Sequence, residues 1–446
     1  MRSRLTQCSM CAKPQRESQL EDRISQLPDG ILVQILSLLP IIEAGRSSVL
    51  SPRWRDLWKS TTGLDFDAFG ELKKLYIGNS SDRGWSKFVV FVNQVLKLHQ
   101  SPSLDKFRVK SYLDVEAGHD IDEWINFALS KRVKGLEIDL LPPCPVKPVT
   151  LADECYLRFK NPSNLCSIKR LTSLSFRGVN VDDELLEHSL SNCPHLERLR
   201  VVWSDHMLNL KVTGLLLQLK HLEILNCMSL KSLKVCAPKL LTFKYFGPNL
   251  RLSIGNLPLL DELNIGGLKG HQMTCTLTPF SSHLARIQTL ELKASEVDKE
   301  FFQVPELTNL KRLILNIKVR YGNSLLYFTP LIEAAPSLRR FILKLGGFGY
   351  VQRFPKKLKL AHHPHQHIKD VEIFGFVGVD SDVELVMYLL KNAINLGKII
   401  IDPHRFIDPH RFGTTYREDS KKIEVARKHA HKLEKNLRPG VELIVL

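Results

Sequence analysis

The 446-residue sequence contains no run approaching the roughly 18 to 20 apolar residues that a membrane span requires, and no N-terminal apolar segment of the secretory kind. Both absences predict a soluble chain. Nine cysteines are scattered without a regular framework, which predicts free thiols and a reducing compartment, nucleus or cytosol. Cys8 and Cys11 form one Cys-x-x-Cys, but no second pair stands at zinc-site spacing, so no metal site is predicted. There is no Gly-rich phosphate loop, no Gly-x-Ser-x-Gly elbow and no His-Glu-x-x-His helix. The chain is expected to be non-catalytic and to carry no cofactor.

What the chain does have is 43% apolar residues, ample for a folded core, and a length that suggests two to four domains. It also has a formal charge of +16. That charge could serve nucleic acid or an acidic protein surface. It is spread along the chain with no long basic block, so a diffuse basic surface is the preferred reading and nucleic-acid binding the alternative. Nothing argues for a homo-oligomer. His362, His363, His365 and His367 form a tract that could hold a metal. With Pro364 interrupting and no cysteine near, it reads as a solvated loop.

Residues 1–20 are polar, basic and aperiodic, and predict a disordered leader. From Asp22 to Ser60 bulky apolar residues are dense. Ile31, Ile35, Leu36, Leu38 and Leu39 recur at helical spacing over an arc too wide to be hidden beneath one short helix. Ser51 and Pro52 suit the N-cap and first turn of a further helix, which would place Trp54 and Trp58 on one face. So short a stretch cannot enclose a stable core alone. It is either a cap on the next domain or a docking unit whose ridge belongs to another protein. Ser86 to His99 predicts a helix apolar over much of its circumference, bridging this unit to the rest of the chain.

A repeat decides the rest of the fold. The pattern apolar-x-x-apolar-x-apolar occurs thirteen times, from Leu104-Phe107-Val109 to Leu396-Ile399-Ile401, and includes Leu222-Leu225-Cys227 and Leu230-Leu233-Val235. Most steps are 20 to 30 residues, with a 38-residue step before Leu174 and short ones near Leu233. Each copy predicts a short parallel strand with alternate residues turned inward, stacked because no copy buries its own face alone. Ile121, Trp124, Ile125, Ala128 and Leu129 predict one covering helix; Leu185, Leu186 and Leu190 after Asp182-Asp183 predict another. Between Leu225 and Phe243 there is room only for tight turns. Near the end the order is strand, helix, strand, then a charged helix from about Glu418 to Asn436 and a strand Val441 to Leu446. Ile401-Asp-Pro-His-Arg-Phe406 is repeated at once as 407–412, most simply a longer surface loop.

Leu27-Pro28-Asp29, Ile35-Leu36, Leu38-Leu39-Pro40, Ser48-Val49-Leu50-Ser51 and Arg53-Trp54-Arg55-x-Leu57-Trp58 resemble the F-box in its plant form. The repeats resemble the irregular leucine-rich repeats attached to plant F-boxes, and the C-terminal part resembles the FBD domain. The resemblance implies an α/β chain: leader 1–20, helical F-box 21–66, bridging segment 67–103, leucine-rich-repeat solenoid 104–360 and FBD-like unit 361–446. It implies a substrate-recognition subunit of an SCF-type ubiquitin ligase, docking a SKP-family adaptor and through it a cullin, with an unknown protein target on the repeats. The residues that match the motif's apolar positions are Leu27, Pro28, Ile31, Ile35, Leu36, Leu39, Val49, Leu50, Trp54 and Trp58. One departure is Ile41-Ile42-Glu43-Ala44-Gly45, where Gly45 would cost a helix interior on the order of 1 kcal/mol relative to Ala and weaken docking. Alternatives are an F-box scaffold or decoy without ligase function, and a small-molecule co-receptor. The exposed repeat residues Arg198, Arg200, Lys311 and Arg339 would suit an acidic partner.

Overall fold

The fold is described from a computed structural model covering residues 23–69, 84–111, 113, 117–141, 157–158, 169–214, 217–267, 277–294, 305–318, 324–346, 363–404 and 420–446. The expected leader, Cys8, Cys11, His362 and the second Ile-Asp-Pro-His-Arg-Phe copy lie outside these residues. Among the described residues no helix is long and apolar enough to cross a membrane.

The strands, in order, are β1 Gly63–Asp67, β2 Lys106–Lys110, β3 Gly135–Asp139, β4 Leu157–Arg158, β5 Ser173–Arg177, β6 Val179–Asn180, β7 Arg198–Val202, β8 Asn209–Thr213, β9 His221–Leu225 and β10 Ser232–Cys236. They continue as β11 Thr242–Gly247, β12 Arg251–Ile254, β13 Glu262–Gly267, β14 Thr289–Ala294, β15 Arg312–Lys318, β16 Arg340–Gly346, β17 Asp370–Phe374, β18 Lys398–Asp402 and β19 Glu442–Val445. Fourteen of them form one parallel sheet in the order β1-β2-β3-β5-β7-β9-β11-β13-β14-β15-β16-β17-β18-β19. The chain is thus a leucine-rich-repeat stack, one strand per turn. The register is constant: Leu64, Phe107, Leu136, Leu174, Leu199, Leu222, Phe243, Leu263 and Leu290 stand side by side. Leu313, Phe341, Val371, Ile399 and Leu443 continue the row. A one-residue slip would turn a row of buried residues to water, so burial enforces the register.

The return segments change along the stack. Early ones are helices, Gly84–Leu98, Gly118–Ser130 and Asp183–Asn192. The Gly118–Ser130 helix buries Ile121, Trp124, Ile125, Ala128 and Leu129, as its pattern predicts. Asp182 caps the Asp183–Asn192 helix by accepting the Leu185 N–H at 2.8 Å. In the middle, where connections are too short for a helix, the returns are strands, and β8, β10 and β12 make a second, three-stranded parallel sheet. Late returns are helical again, Asp380–Asn392 and Ser420–Lys432.

Two expected triplets are corrected. Leu222-Leu225-Cys227 is three residues out of register: Leu222 pairs with Leu199 and Phe243, so the repeat reads Leu219-Leu222-Ile224. Leu225 instead faces the other side of the sheet, buried with Val202 and Phe246 beside the half-buried Trp203. Leu230-Leu233-Val235 belongs to β10 and hence to the second sheet. The expected boundary at residue 66 falls inside β1, which pairs with β2 as the first strand of the stack. The strands of 361–446 also continue the same sheet.

His365 corrects the reading of its tract as a solvated loop, for it is buried. Its Nε2 lies 3.0 Å from the Tyr388 hydroxyl, which donates to Glu333 at 3.2 Å. Among the described residues no group of three or more His, Cys, Asp or Glu is placed to hold a metal. Burial, and secondarily the neighbouring His363, push the His365 pKa down to about 4. The unfolded chain therefore binds a proton that the folded chain refuses between pH 6.5 and 4, and stability falls as pH falls through that window. The full difference is about 3 kcal/mol at pH 4. Wild type should lose that much more than His365→Gln between pH 7 and 4 in urea unfolding. Asp382, pushed up to about 6 by burial, contributes with the opposite slope in both proteins and cancels in the comparison.

Candidate functional site: an apolar ridge on the N-terminal helices

Pro28 and Pro40 each immediately precede a helix, α1 Asp29–Leu36 and α2 Ile41–Arg46, in extended conformation. Two stripes run along α1, one residue apart. Leu32 and Leu36 turn inward, with Ala44 and Trp54, to form a four-residue core packed by Leu27, Leu57 and Trp58. Ile31 and Ile35 turn outward. Past the helix ends the exposed side chains continue with Leu38 (86% exposed), Leu39, Val49 (86%) and Leu50 (66%). The width of the apolar arc in the sequence thus has a physical outcome: half of it is core and half is ridge.

The sequence-derived docking residues divide accordingly. Pro28, Ile31, Ile35, Leu39, Val49 and Leu50 are exposed, while Leu27 and Trp58 are half-buried. Leu36 (2%) and Trp54 (4%) are not on the surface and act as core. Leu38 and Ile24 belong to the exposed apolar set as well, though the sequence-derived docking set does not include them. Leu38 could have been found, since it lies two residues past Leu36 and off the inward stripe.

The expected helix from Ser51 is also corrected. Residues 52–56 are consecutive turns, and only Leu57–Ser60 forms a short 3-10 helix. Tertiary anchors win over local propensity here. Arg53 donates to the Asp29 carboxylate at 2.8 and 2.6 Å and to the carbonyls of Ser25 and Leu27. The Trp54 indole N–H donates to Ser25 at 2.9 Å. Together they tie the 51–56 segment to the Leu27-Pro28 entry of α1.

The ridge is fixed to the stack. The Ser37 hydroxyl accepts the Thr62 N–H at 2.9 Å, and the Gln100 N–H donates to Lys59 at 2.7 Å. The buried His99 donates from Nε2 to the Thr61 carbonyl at 2.8 Å, and burial holds its pKa below the usual value. Gly63 permits this close seating, because a Cβ there would lie 2.5 Å from the Ser37 carbonyl oxygen. Ile41 on α2 joins the large core of the stack, and Trp58 packs against both cores.

Gly45 sits inside α2 with open space around it. Gly45→Ala should stabilise the helical unit by about 0.5–1 kcal/mol, read as slower amide exchange over α2 with no loss of fold.

On the strand face of the stack, basic residues are matched by carboxylates of neighbouring strands. Arg108 lies 3.0 Å from Asp65, Arg177 3.0 Å from Asp139, Lys244 3.3 Å from Glu262, and Arg340 pairs with Glu372. Arg200 is likewise paired, with Glu223 at 2.9 Å, and is only partly exposed, which corrects its reading as a free contact. Lys311 donates to Gln288 at 2.6 Å; Arg198 and Arg339 are exposed. Among the described strand residues these cations are thus matched across neighbouring strands.

Comparison with known proteins places the F-box domain on residues 24–63 and the At1g61320/AtMIF1 LRR domain on residues 95–443. Among curated relatives from Arabidopsis thaliana, FBD-associated F-box protein At4g10400 is 27% identical over 420 residues, 84% of this chain and 91% of the relative. Putative FBD-associated F-box protein At1g61330 is 24% identical over 415 residues, 84% and 90%. F-box/FBD/LRR-repeat protein At5g53840 is 25% identical over 430 residues, 89% and 91%. With a helical ridge at one end of a parallel-strand stack, and with these matches covering both, the chain belongs to the plant F-box/LRR proteins with an FBD-like region and is of the F-box substrate-adaptor type.

Proposed function

We propose that the chain is the substrate-recognition subunit of an SCF-type cullin ubiquitin ligase. Its ridge docks a SKP-family adaptor, and residues 104–446 present a protein target. The observation that carries this reading is the ridge itself. Ile31, Ile35, Leu38, Leu39, Val49 and Leu50 are large apolar side chains that lie together in sequence and are left in water. A surface of this kind is stable in solution and gains free energy when a partner covers it.

Chemistry at the ubiquitin would be performed by other subunits. This chain would raise the effective concentration of the target near the transfer enzyme, an entropic contribution that needs no catalytic group of its own. The rigid seating of the ridge on β1 supports that role, because a fixed docking angle fixes where the target is held. Action in the nucleus or cytosol is part of the same proposal.

The test is co-expression with a SKP-family adaptor followed by size exclusion. The wild type should co-elute with the adaptor. The Leu27→Ala/Pro28→Ala pair, which alters the entry of α1 clamped by Arg53, should weaken docking by several kcal/mol and leave the repeats folded. A folded wild type that does not co-elute would sink the ligase reading and favour a scaffold that works without the adaptor.

A further inference from the structure

The outward face of the second sheet differs from that of the first in how its cations are partnered. β8, β10 and β12 are parallel, with Lys234 opposite Lys211 and Ser232 opposite Arg251. Leu210, Val212, Leu233 and Val235 turn inward and belong to the core of the stack. Alternation therefore turns Lys211, Lys234 and Arg251 outward, and all three are exposed. Adjacent strands lie about 4.8 Å apart, which makes Lys211 and Lys234 nearest neighbours on that face and puts Arg251 on the diagonal from Lys234. Lys231, just before β10, is exposed as well. Arg200 and Lys244 of the main sheet have carboxylates at 2.9 and 3.3 Å. Lys211, Lys231, Lys234 and Arg251 have no ion-pair partner among the described residues. Like charges directly opposite one another destabilise a sheet, and that cost is relieved when an anion covers the face.

The basic field is small and bounded. On the β8 side the Asp183–Asn192 helix closes the sheet with carboxylates. Asp183 accepts the N–H groups of Leu208 and Asn209 at 2.9 and 2.8 Å, and Glu187 accepts that of Lys211 at 3.1 Å. From β8 to β12 the face spans two strand spacings, about 10 Å. A nucleic-acid strand needs a longer basic track and aromatic side chains on which its bases stack, and the three strands contain no aromatic residue. A second copy of this chain would set like charge against like. An extended acidic peptide meets neither objection. Its alternate side chains stand roughly 6.6–6.8 Å apart, between the separations of Lys211 from Lys234, about 4.8 Å, and of Lys234 from Arg251, roughly 7–8 Å. The hydroxyls of Thr213 and Ser253 are exposed on the same face and can bond to its backbone.

We propose that the outward face of β8, β10 and β12 docks a short, extended acidic segment of a target protein, with carboxylates at alternate positions seated on Lys211, Lys234 and Arg251. The segment lies across the three strands rather than joining them, so that side-chain charge and not backbone pairing recognises it. This rests on the reading of the chain as a target receptor, and names the class of target and where on the stack it is held. It does not depend on adaptor docking, and its test omits the adaptor so that the two can fail separately.

The probe is the labelled peptide Ser-Glu-Ser-Glu-Ser-Glu-Ser, into which the full chain is titrated by fluorescence anisotropy at about 50 mM salt, where surface charges are only partly screened. The wild type should bind it saturably, and Lys234→Glu should cost at least tenfold. That variant sets a carboxylate opposite Lys211, so its urea midpoint should equal or exceed that of the wild type, which separates lost binding from lost fold. Lys435→Glu makes the same change of net charge on the exposed turn after the last helix and should stay within about threefold. A Ser/Lys peptide should not bind. An equal loss in the two variants would show general charge attraction only and overturn the proposal. So would absence of saturation at millimolar chain, or displacement of the peptide by an equimolar short oligonucleotide of the same charge, which would give the face to nucleic acid.

Discussion

Leu38→Asp combined with Val49→Asp is expected to abolish docking of a SKP-family adaptor while leaving the fold intact. Each side chain is 86% exposed in the free chain, so an aspartate there is hydrated and costs the folded state little. In a complex the same positions would be buried. Covering a Leu or Val contributes about 1.5–3 kcal/mol, and that gain is lost at both sites. A buried carboxylate without a partner adds a further penalty of about 1–3 kcal/mol even after relaxation. The sum is at least about 4 kcal/mol, or roughly a thousandfold in affinity. The measurement is isothermal titration against the purified adaptor, with urea midpoints of both proteins recorded beside it. Affinity within about threefold of wild type would move docking off this ridge altogether.

Trp54→Ala is the second large effect, and it acts by a different route. The indole fills a core built with only Leu32, Leu36 and Ala44, and its N–H is spent on Ser25 at 2.9 Å. Removing a buried Trp costs about 3–5 kcal/mol, more than so small a core can spare. The helical unit should open locally while the sheet stays formed. Amide exchange over α1 and α2 should accelerate by about a hundredfold or more, with the strands from β11 to β16 unchanged. Adaptor binding should fall as a consequence. If binding fell while α1 remained as protected as in wild type, Trp54 would be a contact residue rather than a core one.

The difference between these variants marks where the sequence was readable and where it was not. A period-two pattern inside an apolar-x-x-apolar-x-apolar frame reports strands reliably where each strand is buried against neighbours of the same kind, as at Leu313 and Phe341. It fails where two frames overlap. Leu219, Leu222, Ile224, Leu225 and Cys227 satisfy both the right and the wrong triplet, and only the pairing of Leu222 with Leu199 and Phe243 decides between them. Nor can a triplet say which sheet it joins, which is why β10 was mistaken for a member of the main stack.

At the ridge the limit is angular. Ile31 and Leu32, or Ile35 and Leu36, are adjacent residues about 100° apart on a helix, and composition alone does not tell which of each pair turns inward. That choice is made by Trp54, brought back from 22 residues away by Arg53 and Ser25. His365 is a similar case. A histidine beside Pro364 and His363 reads as surface, and its burial depends on Tyr388 and Glu333, which come from distant turns of the stack.

Docking through the ridge of α1 and the Val49-Leu50 turn is tested most directly by hydrogen exchange of the full chain with and without a SKP-family adaptor. Protection confined to residues 31–39 and 47–50, with the exposed loops and strand ends of the repeats unchanged, is the predicted footprint. Protection that appears on the repeats and spares the ridge would contradict it.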